Sequence, residues 1–446
     1  MRRITTALLL ALSICAASFA QTADDAKAIT KQVNDYRNQL FTDARSGGKA
    51  LTQESFNEIT KKVKAKIDEL VKGIDPTKID AKDALEWARV FESAEQYKVC
   101  CDLARKYLTT NPADPEKFQA MYVMANSCNE LGEADMLTMT LNDIPVPTAA
   151  NSSMLGSMTT NVFVDTIYEK KGLGPALELL DTVKKKLVLE DPKDYAKRML
   201  AMAKDREAKN PPATAPKPDE ERLKDLEVQG GQVNQGQLYA FAGKKAELYK
   251  EAGKTDEAIA LLKSEIAKLD PKAPAYRQAN SALIMLTLTG SAAPAIVSER
   301  SYGTFDSLES LKGKVVIIDF FAHWCGPCIA SFPDMEKLYG DLHGKGLEVV
   351  GVTTYYGYYK QENTVKRDMP KDTEFGKMED FIAEHKIPWP VVYGERANME
   401  KYGITGIPTA IVIDRQGKVH KIHVGYSEKS FQEFRKEVEG LVNAAK

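Results

Sequence analysis

The sequence predicts a multidomain protein with an all-α N-terminal part and a C-terminal α/β domain. At 446 residues the chain is too long for one ordinary hydrophobic core. From residue 24 to about 289, apolar residues recur at spacings of three and four, which is the pattern of amphipathic helices. After residues 290–294 the pattern changes to extended apolar runs that alternate with helical segments.

The overall composition is that of a soluble globular protein, with 43% hydrophobic and 28% charged residues. A formal net charge of -2 gives no electrostatic reason to expect nucleic acid or an anionic membrane surface as a partner. We therefore expect neither, and the chemistry has to be sought in particular residues.

The N-terminus has the pattern of an export signal. Arginines precede an apolar run at residues 7–17, and small residues stand three and one before a predicted cut after Ala20. The run is shorter than the roughly 20 apolar residues that span a bilayer, so we predict a signal peptide at 1–20, a mature chain without a transmembrane span and a bacterial periplasmic location. The alternative is a lipid anchor at Cys15, although Ile14 is larger than the residue usual before a lipidated cysteine.

The helical part divides at a proline-rich stretch near residue 211. Proline lacks the backbone donor and disfavours helix in the residue before it. We predict a helical domain at 21–205, a linker or loop at 206–222, a second helical segment at 223–289, and the α/β domain at 290–446.

Small residues recur on both sides of an aromatic residue in two helical stretches, at spacings of three and then nine. The two sets are Ala88, Phe91 and Cys100, and Ala246, Tyr249 and Ala258. Small residues on facing helices allow close approach, and this spacing resembles the tetratricopeptide repeat. The resemblance implies a repeat array with a groove for a partner protein, and a generic helical bundle is the alternative.

The C-terminal domain is predicted to have a central mixed sheet with helices on both sides. Residues 314–321 form a nearly continuous branched apolar run, typical of a strand buried on both faces. The segments 347–353 and 409–414 have the same character, a turn leads into 418–424, and Ser427 can cap a final helix.

Two cysteines stand where the first of these strands ends and a helix begins. Unpaired backbone N–H groups and the helix dipole favour a thiolate at a helix N-terminus, so we expect Cys325 to be the nucleophile. Cys328, one turn further, can then attack a mixed disulfide on Cys325 and is the expected resolving thiol. Pro327 suits the first helical turn, and Trp324 is expected to cover the pair.

The stretch Trp324-Cys325-Gly326-Pro327-Cys328 is identical to the motif of thioredoxin, and the C-terminal third resembles the thioredoxin superfamily. The resemblance implies a thioredoxin fold in which Asp319 is the buried aspartate that helps to deprotonate Cys328. Pro333 matches the proline that kinks the active-site helix. Residues 403–409 match the loop whose proline is cis.

By the same resemblance, the substrate-binding surface is formed by five residues around the cysteines and in that loop: Trp324, Gly326, Pro327, Ile407 and Pro408. Residues 307–314 and 413–417 resemble the exported TlpA/ResA branch of the superfamily. Cytochrome-maturation members of that branch usually carry glutamate at the position of Ser331, so a cytochrome-maturation role is less favoured.

Other uses of the Cys325–Cys328 pair are a structural disulfide, half of a zinc site, or copper binding with His420 or His423. No second Cys-x-x-Cys completes a zinc site, and Ile329 in place of histidine excludes covalent haem attachment. We expect a redox-active disulfide with no metal and no separate cofactor.

Several further side chains have two interpretations each. The apolar neighbours of Asp319 predict burial and a raised pKa that suits proton transfer, and the alternative is an ordinary aspartate at a strand end. His323 is predicted to be a solvated loop residue, or else to tune Cys325. Tyrosines at 355–359 are interpreted as a loop packed on its own domain, or as a surface that contacts a substrate or partner.

The three remaining cysteines of the mature chain fall in the first helical region. Cys100 is predicted to be a buried free thiol, and the alternative is a disulfide from Cys100 or Cys101 to Cys128 on the next helix.

The sequence therefore predicts an exported thiol:disulfide oxidoreductase of the thioredoxin type that reduces or exchanges disulfides of a partner protein docked by the helical region. The alternatives are a disulfide oxidase or isomerase, and a partner-binding scaffold with an accessory redox domain. The chain itself indicates neither the partner nor the upstream electron donor or acceptor.

Overall fold

The structure is a computed structural model that describes residues 21–46, 53–211, 216–361, 364–394 and 396–444. The predicted signal peptide at 1–20, with Cys15, lies outside the described residues. The chain forms two compact units, one up to Asp194 and one from Tyr195 onward. Each unit has its own core and is described separately.

The first unit is helical throughout its described residues. It comprises α1 (Ala23–Arg45), α2 (Gln53–Val71), α3 (Ala84–Ser93), α4 (Tyr97–Leu108), α5 (Asp114–Glu130), α6 (Ala134–Asp143), α7 (Ala149–Met158), α8 (Val164–Lys171), α9 (Leu173–Lys186) and the start of α10 (Pro192–Lys209). Thr22 caps α1 through a reciprocal pair of hydrogen bonds with Asp25.

The small positions on α3 and α4 are buried as the sequence predicts. Ala88 and Cys100 are fully buried, and Phe91 fills the space beside them. Buried small residues on both helices are what the spacing of small and aromatic residues predicts. The assignment of this region to the tetratricopeptide class stays a prediction.

The second unit starts with helices α11 (Asp219–Glu251), α12 (Thr255–Ile266) and α13 (Pro274–Leu288), which follow the rest of α10. Helix α10 extends to Lys209 and α11 begins directly after Pro218, so both helices enter the range predicted as a linker, 206–222. Proline fits the position before a helix, where its missing N–H is not needed. Residues 212–215 lie outside the described residues.

Helix α13 packs on the α/β domain. The Ser281 hydroxyl donates to the Gly403 carbonyl, and Leu288 and Ile284 belong to the same apolar cluster as Val316 of the sheet. The α/β domain and the helix before residue 290 therefore share one core.

The sheet of the α/β domain has six strands and both strand directions, as predicted. Its strands are β1 (Arg300–Tyr302), β2 (Val315–Phe320), β3 (Leu347–Thr353), β6 (Val391–Tyr393), β7 (Thr409–Ile413) and β8 (Val419–Val424). Their order is β1-β6-β3-β2-β7-β8, with β2, β3 and β6 parallel and β1, β7 and β8 antiparallel to their neighbours. A separate hairpin of β4 (Tyr358–Gln361) and β5 (Thr364–Arg367) lies between β3 and β6 in the chain.

Helices cover both faces of this sheet. α14 (Gly326–Leu342), α15 (Lys371–Glu384) and α17 (Glu428–Asn443) pack on one face, while α13 and the short α16 (Ala397–Lys401) pack on the other. Every residue of β2 is buried, which explains its continuous apolar run. No helix in the described part of the chain is long and apolar enough to cross a membrane.

Candidate active site

The two cysteines of the Trp-Cys-Gly-Pro-Cys stretch lie at the start of α14. Cys325 is the N-cap residue, and its sulfur accepts a hydrogen bond of 3.2 Å from the backbone N–H of Cys328. The two sulfurs form a disulfide with a length of 2.01 Å. Because the helix begins immediately after Cys325, its free N–H groups and its dipole act on that sulfur.

The two sulfurs differ in their surroundings. Cys328 is fully buried, whereas Cys325 retains 4% exposure and is followed by the exposed Gly326 and Pro327. A substrate that approaches this turn therefore meets Cys325 first.

The predicted proline loop lies beside the cysteines. Thr409, the first residue of β7, pairs with Phe320, the last residue of β2, so the loop before β7 borders the end of β2. The Ile407–Pro408 peptide bond is cis, as the resemblance implies. Ile407 is half-buried and packs against the apolar cluster that holds both cysteines.

Asp319 is a buried carboxylic acid near the end of β2. It is 3% exposed, and its Oδ2 atom accepts no hydrogen bond from any described residue. Burial raises the pKa of Asp319 to about 7, because a carboxylate without solvent or a donor is disfavoured. Such a group can accept and return a proton near neutral pH.

Trp324 forms one wall of the site. It is half-buried, contacts the cysteine-containing cluster and meets Tyr356 edge to face at 5.3 Å between ring centroids. Trp324 directly precedes Cys325 in the chain, and its covering role stays a prediction.

Known proteins resemble the C-terminal third of the chain. The Redoxin family model matches residues 288–440. Thiol-disulfide oxidoreductase ResA from Halalkalibacterium halodurans is 31% identical over 151 residues, which cover 33% of this chain and 76% of that protein. The chain belongs to the ResA-like thiol-disulfide oxidoreductases. It is an enzyme of the thioredoxin type.

Two further similar proteins cover a comparable share of this chain. Thiol-disulfide oxidoreductase ResA from Bacillus subtilis is 30% identical over 32% of this chain and 70% of its own length. A solved thiol:disulfide interchange protein of the thioredoxin family from Chlorobium tepidum is 28% identical over 34% of this chain and 97% of its own, with a TM-score of 0.27. The Redoxin family model begins at residue 288 and does not reach the helical first unit.

The prediction that His323 is a solvated loop residue is wrong in this ResA-like protein. His323 is 4% exposed, stacks on Tyr359 at 4.7 Å and contacts the rings of Tyr356 and Tyr358 edge to face. Burial lowers its pKa to about 4, although a hydrogen bond with the Tyr358 backbone opposes the shift. The tyrosines of the following segment bury it, an effect that local sequence alone could not reveal.

The tyrosine-rich segment packs on its own domain. Tyr356 and Tyr359 contact the core cluster, and Tyr355 lies against Tyr393 with 4.7 Å between ring centroids. These contacts fit the interpretation of the segment as packed on its own domain. Part of it is a strand rather than a loop, because Tyr358 and Tyr359 belong to β4.

Glu374 on α15 is a functional candidate that the sequence analysis missed. Its carboxylate is fully buried and accepts hydrogen bonds from the backbone N–H groups of Tyr356 and Gly357, each at 2.9 Å. An oxygen of the carboxylate lies 3.9 Å from Nε2 of His323. Burial raises the pKa of Glu374 while the two hydrogen bonds lower it in part. A single glutamate in a helix has no local sequence signal for such a role.

The described residues contain no group of three or more histidine, cysteine or acidic side chains that could hold a metal ion. His420 lies 3.2 Å from the Glu437 carboxylate, and His423 packs against Phe434. The cysteine pair is instead joined as a disulfide.

In the first unit, Cys100, Cys101 and Cys128 are all buried free thiols. This agrees with the prediction for Cys100, whose sulfur accepts a hydrogen bond of 2.9 Å from the Ser127 hydroxyl.

Proposed function

We propose that the protein is an exported enzyme that reduces disulfides of a partner protein, with Cys325 as the attacking and Cys328 as the resolving thiol. The observation that carries this proposal is the position of Cys325 at the N-cap of α14. There the Cys325 sulfur accepts a hydrogen bond from the backbone N–H of Cys328, and Cys325 is the more exposed cysteine of the pair.

The reaction starts with both cysteines reduced. The Cys325 thiolate attacks one sulfur of a substrate disulfide, and the other substrate sulfur leaves as a thiolate that takes up a proton. Cys328 then loses its proton to Asp319 and attacks the Cys325 sulfur. The second substrate thiolate leaves, and the Cys325–Cys328 disulfide remains.

Asp319 suits the second step because burial holds its pKa near neutral pH. An ordinary exposed aspartate would be too weak a base. These steps oxidise the cysteine pair of the enzyme by two electrons. An external dithiol has to reduce the Cys325–Cys328 disulfide before the next turnover.

The substrate chain is proposed to lie across the exposed turn of Gly326 and Pro327. Trp324 forms one side, and the Ile407 backbone next to the cis peptide bond offers hydrogen-bonding groups on the other. These groups recognise an extended segment rather than a particular sequence, so selectivity has to come from elsewhere.

We propose that the helical first unit supplies that selectivity by docking the partner. The buried small residues between α3 and α4 support a stacked helical hairpin of the kind used in repeat arrays. The export pattern at residues 1–20 supports a location in the periplasm of a bacterium, where substrate proteins carry disulfides.

The proposal is tested by insulin reduction with dithiothreitol as the electron source. Three proteins are compared: the chain from residue 21, the fragment 195–446, and the Cys325→Ser variant. The fragment starts at 195 because a cut at 290 would remove α13 from the core that it shares with the sheet. We expect equal insulin reduction by the first two and none above background by the variant.

Docking is tested with the Cys328→Ser variant expressed in the native host, with and without residues 21–194. We expect one covalently trapped protein with the longer chain and its loss with the shorter one. Identical trapped proteins from both chains would exclude docking by the helical unit. In the insulin assay, reduction by Cys325→Ser at the wild-type rate would exclude Cys325 as the attacking thiol.

A further inference from the structure

A second pair of cysteine sulfurs lies in the helical unit, away from the thioredoxin-like motif in sequence. Cys101 on α4 and Cys128 on α5 have their sulfur atoms 3.9 Å apart. Both residues are buried, with 2% and 0% exposure. The two helices are neighbours, so the contact joins two separate elements of the core.

We propose that Cys101 and Cys128 form a second disulfide, which links α4 to α5, and that Cys100 stays a free thiol. At 3.9 Å the two sulfurs are in van der Waals contact but not bonded. A disulfide needs about 2.0 Å between the sulfurs, so each sulfur has to move by only about 1 Å, which a small rotation about the Cα–Cβ bond can provide.

The choice of Cys101 over Cys100 follows from what surrounds each sulfur. The Cys100 sulfur is held by the Ser127 hydroxyl, and burial raises the pKa of this thiol to about 12. The hydrogen bond with Cys128 and the nearby Arg105 lower the pKa of Cys101 to about 7. Cys101 therefore has the thiolate character that disulfide exchange requires, and Cys100 does not.

The Cys101 sulfur contacts a side chain that reaches the surface. An Arg105 nitrogen lies 4.0 Å from this sulfur and 3.8 Å from the sulfur of Met136. Half of the Arg105 side chain is exposed. The proposal requires this flexible side chain to move away so that a small disulfide can reach the Cys101 sulfur.

The oxidant is a disulfide, such as oxidised glutathione. The Cys101 thiolate attacks one of its sulfurs and releases one thiolate. Cys128 then loses its proton, attacks the Cys101 sulfur and releases the second thiolate. Two protein thiols are oxidised by two electrons, the small disulfide is reduced to two thiols, and no other reactant is needed.

The test is peptide mapping of the full chain without reduction after equilibration in glutathione buffers of increasing oxidation. Free thiols are alkylated under denaturing conditions, and fragmentation between the adjacent Cys100 and Cys101 identifies the linked residue. The Cys325–Cys328 disulfide in the same sample is the positive control for oxidation.

We expect a Cys101–Cys128 link in most molecules and alkylated Cys100. The matched variants are Cys100→Ala, which should keep the link, and Cys101→Ala, which should abolish it. The wild-type map alone decides the question should a variant fail to fold. Alkylation of both Cys101 and Cys128 at every ratio that oxidises Cys325–Cys328 would overturn the proposal, as would a Cys100–Cys128 link in the wild type.

Discussion

Replacing Asp319 with asparagine should stabilise the second unit, and the effect should depend on pH. The carboxyl is 3% exposed, and burial moves its pKa from 3.8 to about 7. Between these two values the unfolded carboxyl is ionised while the folded one keeps its proton. Raising the pH through this window therefore removes stability from the wild type, and asparagine has no charge to bury.

The size of the effect follows from the two pKa values. A tenfold change in proton affinity is worth about 1.4 kcal/mol, so the difference between 3.8 and about 7 corresponds to about 4 kcal/mol. We expect the Asp319→Asn variant to match the wild type near pH 4 and to exceed it by up to about 4 kcal/mol above pH 7. Between these limits the gap should widen steadily.

The assay is urea unfolding of residues 195–446 at several pH values with the Cys325–Cys328 disulfide intact. Fluorescence of Trp324 and Trp389 reports the transition, since Trp389 lies in the core of the α/β domain and Trp324 packs against it. Equal stability of the two proteins at pH 8 would refute a buried, unpartnered carboxylate at Asp319. A gap that stayed constant between pH 4 and 8 would refute the proton linkage.

Two more substitutions test other contacts. Gly403→Ala should lower the free energy of unfolding by about 2–4 kcal/mol, because its φ is +67° and a Cβ atom would lie 2.8 Å from a backbone oxygen of α13. Gly313→Ala is the control with positive φ and open space, and we expect about 1–2 kcal/mol, so equal losses would exclude the close approach of α13. Glu374→Gln should raise amide hydrogen exchange in residues 354–361 by about tenfold, since an amide oxygen replaces two carboxylate acceptors of backbone N–H groups. The exposed Glu379→Gln on the same helix should leave this exchange unchanged, and unchanged exchange in both variants would contradict the anchoring role of Glu374.

Sequence reasoning works best where a local pattern determines the structure. The branched apolar runs predict β2, β3 and β7, because strands that are buried on both faces are apolar throughout. The cysteine spacing and the helix start likewise predict the geometry at Cys325. The short strands β1 and β6 have only three residues each, too few for a recognisable pattern.

Features that depend on distant contacts escape prediction. His323 looks like a polar loop residue, and only the folded tyrosine-rich segment buries it. Glu374 becomes part of the site because α15 places its carboxylate under two backbone amides of that segment. The 3.9 Å approach of Cys101 and Cys128 depends on how α4 rotates against α5, although the sequence analysis had retained this pairing as an alternative.

The most direct test of the central claim locates the covalent adduct formed with a small disulfide. Purified Cys328→Ser and Cys325→Ser variants are incubated with oxidised glutathione, digested without reduction and mapped by mass spectrometry. We predict a glutathione adduct on Cys325 of the first variant and none on Cys328 of the second, because Cys325 is the N-cap sulfur near the surface and Cys328 is fully buried. Equal modification of the two cysteines, or modification of Cys328 alone, would contradict the assignment of Cys325 as the attacking thiol.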